Sequence, residues 1–247
     1  MGIGQRARLA GGVLGPVAFT AAWVVSTVRQ PSYTVAHEHI SGLAAPDART
    51  PAAMVGGFLA LGAGTVTFAR ALDERLGGTE RSGTGPILLG VAGVAAVAAG
   101  AFRRDRMSNV PPPDLVNARP SVANDLHDLS SVVGQAASVL GLLSLARHLR
   151  NDRPLRRWAP PVAGVALVNA AMMSWFASDV TRPGNGIVQR VGISLPLTLM
   201  AALAVRLLRD QRIGRSCGHP VDGSGRTIAR VRRTSSAIAS TSSSTES

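Results

Sequence analysis

LAGGVLGPVAFTAAWVVSTV at 9–28 and APPVAGVALVNAAMMSWFAS at 159–178 decide the fold of this chain. Neither stretch holds an Asp, Glu, Lys or Arg. An α-helix rises about 1.5 Å per residue, so about 20 such residues cross a hydrocarbon core of about 30 Å. Four further apolar stretches follow the same pattern, at about 52–69, 86–102, 129–146 and 188–208, the last of them free of charge over 191–205. A helix at the surface of a water-soluble domain is apolar along one stripe. Six helices apolar on every face point to lipid as the solvent. The expected fold is all-α, a polytopic membrane helical bundle of six transmembrane helices. It forms one domain over 1–212, followed by a disordered Arg/Ser/Thr-rich tail over 213–247. The stretches lack the period-two alternation of a membrane β-barrel.

Charge sets the expected orientation. Charged residues make up 16% of the chain, and the net charge of +12 comes from arginine alone, since no lysine is present. Eighteen of the 26 arginines fall on the N-terminus, the second and fourth loops and the tail. Loops on the cytoplasmic side carry the positive excess, so both termini are expected in the cytoplasm and the protein in a plasma membrane. This one-sided distribution argues for anionic lipid rather than nucleic acid as the partner of the arginines. The single cysteine, Cys217, excludes an intrachain disulfide and a Cys-rich metal site. Arg6 and Arg8 ahead of the first stretch resemble a signal peptide, but its apolar run is too long, so it is expected to remain as a span.

Small residues punctuate the spans. Gly11 and Gly15 form a GxxxG pair, and Gly134 with Ser138 a second small pair, both expected to bring helices of the same chain close together. Pro16 and Pro196 are placed to kink their helices, and Pro161 sits in a first turn, where it is tolerated. Trp158 and Trp175 read as interface anchors at the two ends of the fifth span.

The polar chemistry gathers on the expected outer side. His37, Glu38, His39 and Ser41 lie in the first loop, Asp105 follows the third span, His127 and Asp128 open the fourth, and Gln189 and Arg190 open the sixth. Plain structural roles are open to several of them. Asp125 and Asp128 suit the amino end of a helix, where carboxylates accept orphan N–H groups. Asp179 with Arg182 suits an exposed pair of little energetic weight. An ionisable group at a span is costly unless partnered, so Arg190 is expected to meet Asp105, Asp128 or Asp179.

Several short motifs then occur in order: Gly15–Pro16; Tyr33, His39, Ile40, Ser41 and Leu43; Gly100, Phe102 and Asp105; Pro111–Pro113; Leu126–Leu129; and Gly186, Gln189 and Arg190. In that order and spacing the chain resembles the bacterial six-span membrane proteins catalogued as domain of unknown function 998, over about Gly12 to Arg209. Arg103 stands where those proteins usually carry a proline, and the sixth span lacks their tryptophans. The resemblance carries a position rather than an activity: it maps a polar signature onto His39, Ser41, Asp105, His127, Asp128, Gln189 and Arg190.

Three functions are consistent with these residues. The first is a non-enzymatic protein whose outward-facing polar pocket, built from those seven residues, binds a small ligand or a lipid headgroup without a cofactor. Arg190 and the Gln189 amide would recognise an anionic headgroup. The second is a metal-dependent hydrolase of lipid or envelope material, with zinc on His39, His127 and a carboxylate, Asp105 or Asp128. The third is a transporter, for which the spans offer little beyond Gln135 and Asn169. No phosphate-cradling glycine loop or HExxH motif is present.

Overall fold

A computed structural model of the chain describes residues 3–31, 33–76, 83–108 and 119–216. Pro111–Pro113, Cys217 and the tail beyond it lie outside the described residues. Six helices account for most of the fold: α1 (Ile3–Arg29), α2 (Pro51–Leu76), α3 (Thr84–Ala101), α4 (Val122–Leu149), α5 (Ala159–Ser178) and α6 (Asn185–Ser216). All six are long and apolar enough to cross a membrane, and no strand occurs among the described residues. The helices outrun their apolar stretches by a turn or more at several ends, because lipid headgroups and water accept polar residues there. α6 continues through residues 213–216, past the boundary expected at 212.

The helices form a ring. Each packs on the next, and α6 closes back on α1. Glycine makes the tightest seams. A Cβ on Gly15 would stand 3.0 Å from the Ala60 carbonyl oxygen, and one on Gly11 would stand 2.9 Å from that of Gly64. The GxxxG pair therefore packs α1 on α2 within the chain, and van der Waals contact replaces the hydrophobic drive that lipid does not supply. Phe19, Phe68, Leu72, Leu145 and Leu203 fill the interior.

Both α1 and α6 run unbroken through Pro16 and Pro196. Each proline removes one helical N–H, which releases the carbonyls of Gly12 and Gly192. At one end of the bundle Arg8 bonds Glu74 at 2.7 Å, joining the start of α1 to the end of α2. The other end carries the connections α1–α2, α3–α4 and α5–α6, and there the site is built.

Candidate functional site

The α1–α2 connection folds inward across that end. Tyr33, Ile40, Leu43, Ala44 and Ala45 are all buried, and residues 40–44 form a short 3-10 turn. A buried loop must find partners for its backbone. Local turns supply some: the Gly42 N–H reaches the His39 carbonyl at 3.1 Å, and the Ala45 N–H that of Gly42 at 3.0 Å. Others come from α6, and the loop in turn serves the α3–α4 connection. Gln189 Oε1 accepts the Ile40 N–H at 2.7 Å. The Gly186 N–H meets the Ala36 carbonyl at 3.0 Å, and Asp47 Oδ1 accepts the Met107 N–H at 2.8 Å.

Arg190 is the centre of this clasp. Its Nη1 donates to the carbonyls of Val35 and Glu38, both at 2.9 Å, and of Gly186 at 2.8 Å. Its Nη2 donates to the Tyr33 hydroxyl, which in turn donates to the His39 carbonyl at 2.9 Å. The guanidinium lies 5.6 Å from the centre of the Trp23 ring and 5.4 Å from that of Tyr33, close enough for cation–π attraction. The side chain is 7% exposed. Among the described residues no carboxylate forms an ion pair with it, and its Nε is buried with no acceptor. The expected pairing with Asp105, Asp128 or Asp179 is therefore not made. The folded loop brings carbonyl dipoles and aromatic faces to the cation, which leaves its formal charge unneutralised.

His39 stands beside this cage, 4% exposed. Arg104 Nη1 donates to its Nδ1 at 3.3 Å, so the proton sits on Nε2, which donates to the Val180 carbonyl at 3.1 Å. The ring lies 4.7 Å from that of Phe176. Burial, and after it the Arg104 cation, lower its pKa from 6.5 to about 4, so the imidazole is neutral at physiological pH. Burial likewise raises the pKa of Tyr33, against the opposing pull of Arg190. Ser41 lies half-buried in the 3-10 turn and makes none of these bonds.

The remaining signature residues belong elsewhere. Asp105 accepts the Ser121 hydroxyl and, at 2.8 Å, the Ser121 N–H. These bonds hold its carboxyl below the usual range. Ser121 caps α4 by accepting the Asn124 N–H at 3.1 Å, and Asn124 donates to Asp128 at 3.0 Å. Asp105 and Asp128 thus serve the start of α4. His127, 1% exposed, directs Nδ1 at the Ala99 and Phe102 carbonyls, both at 2.8 Å, and so closes the end of α3. Asp179 bonds its own turn through Thr181.

The structure unites His39, Gln189 and Arg190 and separates them from Asp105, His127 and Asp128. No three His, Cys, Asp or Glu come together to hold a metal ion among the described residues, so the set His39, His127 and Asp105 is not assembled. Sequence reasoning passed over Tyr33, Trp23 and Arg104 as site residues. Tyr33 stood in the signature already. Arg104 was concealed among neighbouring charges, and Trp23 among apolar residues.

A groove opens below Arg190. It is an open groove of about 470 Å³ between α1, α5 and α6, with Trp23, Val165, Leu195 and Leu199 among its walls. Arg190, Ser194 and Thr198 recur along it at i, i+4 and i+8, one polar row on a single face of α6. The groove is a surface that neither periodicity nor motif announced.

No curated protein and no solved structure matches the chain. A family model matches the chain over most of its length: the chain belongs to the family described as "Protein of unknown function (DUF998)", whose model matches residues 13–206.

Proposed function

We propose that this multi-pass protein resides in the bacterial plasma membrane with both termini cytoplasmic, and that it binds an anionic phospholipid without catalysing a reaction. The headgroup sits at Arg190, on the outward-facing end, and an acyl chain lies in the groove between α1, α5 and α6. The arginine excess on the opposite end supports the orientation. One observation carries the ligand: a buried guanidinium with no carboxylate partner among the described residues stands at the head of an apolar groove. A charge held this way favours an incoming anion, and the apolar walls favour a hydrocarbon chain. A phospholipid joins both in one molecule. The Nε–H of Arg190 has no acceptor in the clasp, and with the half-buried amide N–H of Gln189, whose Oε1 is already engaged by Ile40, it can serve phosphate oxygens.

The test is lipid retention by the intact chain, purified from nanodiscs of mixed phosphatidylglycerol and phosphatidylcholine and read by native mass spectrometry. The parent protein is expected to retain phosphatidylglycerol selectively. Arg190→Leu removes the cation but also releases the loop, so a second variant is needed. Ser194→Phe fills the groove one turn below and leaves the clasp intact. Both are expected to lower retention by about tenfold, equivalent to about 1.4 kcal/mol. Equal retention of the two lipids by the parent, or unchanged retention in Ser194→Phe, overturns the assignment.

A further inference from the structure

We propose that the ring of helices encloses a second site, at its centre: a cavity that takes an uncharged ligand with an apolar body and one hydrogen-bonding oxygen. The cavity measures about 160 Å³, and all six helices contribute to its wall. Engineered cavities of about 150 Å³ with wholly apolar linings stay dry and admit benzene. The space therefore suits a body on the scale of one aromatic ring, or the end of a longer apolar chain. Phe19, Phe58 and Phe68 form one side, and the alanines of α3 another. Among the described residues no Asp, Glu, Lys, Arg or His lines it, so an ion entering it would lose its hydration with nothing in return.

One face of the cavity is different. Ser130, Ser131, Gln135 and Ser138 lie along it at helical spacing on α4. Among the described residues the row makes a single side-chain hydrogen bond, from Gln135 Nε2 to Asn169 Oδ1 at the long distance of 3.5 Å. Asn169 is wholly buried, and its Nδ2 has no acceptor. Thr65, also on the wall, has its hydroxyl engaged with the Leu61 carbonyl at 2.8 Å. Pro196 also lines the cavity and releases the Gly192 carbonyl one turn earlier, and a Cβ at Gly192 would stand 3.5 Å from Asn169 Oδ1.

Polar groups without partners at membrane depth are costly, and bundles that serve only as scaffolds avoid them. Here they collect on one side of an otherwise apolar chamber, which is the pattern of a small-molecule site: hydrophobic walls and a few convergent polar groups. A hydroxyl or carbonyl oxygen facing Gln135 and the serines would satisfy the row while its apolar body meets the phenylalanines. The site is independent of the Arg190 groove, although Leu199 lines both.

The probe is a diazirine-bearing benzyl alcohol, photolysed with the full chain in nanodiscs and mapped by peptide mass spectrometry. Saturable labelling is expected on the peptides that hold Ser130–Ser138 and Ile193–Leu203, competed by benzyl alcohol and not by benzoate. Gln135→Leu is expected to weaken labelling by the alcohol about tenfold while labelling by the matching toluene probe persists. Ala92→Phe, which fills the chamber from α3, is expected to abolish both. Thermal stability of each variant shows that the fold is kept. Labelling that does not saturate, that spreads to the lipid-facing Leu14 and Leu167, or that persists in both variants means that the cavity does not hold the probe and overturns the proposal.

Discussion

His39 shows how a single side chain records its surroundings. Its pKa of about 4 in the fold lies below the usual 6.5 because a proton there would be buried and would face Arg104. Between pH 6.5 and pH 4 the unfolded chain binds a proton that the folded chain refuses. Stability is thus full above pH 6.5 and falls as the pH drops through that window, by about 3 kcal/mol in all. Asp105 acts in a lower window, since its lowered pKa yields stability lost only below the ordinary carboxylate range. Thermal unfolding in nanodiscs at pH 7.5 and pH 4.5 reads the difference. The parent is expected to lose melting temperature on acidification, and His39→Gln to lose much less. Equal losses in both would show that another group governs the response. Sequence alone marks His39 and Arg190 as unusual, because polar side chains near spans stand out. Their partners are illegible in it: Val35, Glu38, Gly186 and Val180 contribute carbonyls, which every residue has.

At the scale of elements, the six helices can be read from composition because lipid demands long apolar runs with satisfied backbones. The inward-folded connection between α1 and α2 cannot. It has no period, and its burial depends on glycines whose importance is steric. A Cβ on Gly42 would collide with the Met107 carbonyl, and one on Gly186 with that of Val35. Gly42→Ala is therefore expected to destabilise the docked loop by about 1–3 kcal/mol, seen as faster hydrogen exchange over 33–50 and easier proteolysis there. Gly164, on the exposed side of α5, has nothing within 4 Å of the corresponding position. Gly164→Ala is expected to stay within about 1 kcal/mol of the parent. If the two substitutions behave alike, the close approach of Gly42 to Met107 does not hold the loop. The same reasoning explains His127, Asp105 and Asp128. They are candidate ligands in sequence, with helix capping open to Asp128, and the structure engages them at the end of α3 and the start of α4.

For the whole molecule, closure of the ring by α6 on α1 is set by side-chain fit over long sequence separation, which no local pattern encodes. Sidedness is different, because the proposal for it rests on arginines that can be counted. Six crossings return the chain to the face from which it started, so the two termini share a side whichever side that is. The arginine excess on the ends of α2, α4 and α6 and the start of α5 is the ground for the proposed cytoplasmic placement, since anionic lipid there would attract each charge by about 1 kcal/mol. A single cysteine makes this directly measurable. In intact cells a membrane-impermeant maleimide is expected to leave Cys217 unmodified, and in inverted vesicles to modify it. With Cys217→Ser as background, Asp125→Cys, exposed at the start of α4, is expected to react in the opposite sense. Modification of Cys217 from outside intact cells would invert the molecule. The Arg190 groove would then open to the inner leaflet, where anionic phospholipid is also present, so the lipid assignment would survive a reversal of the proposed orientation.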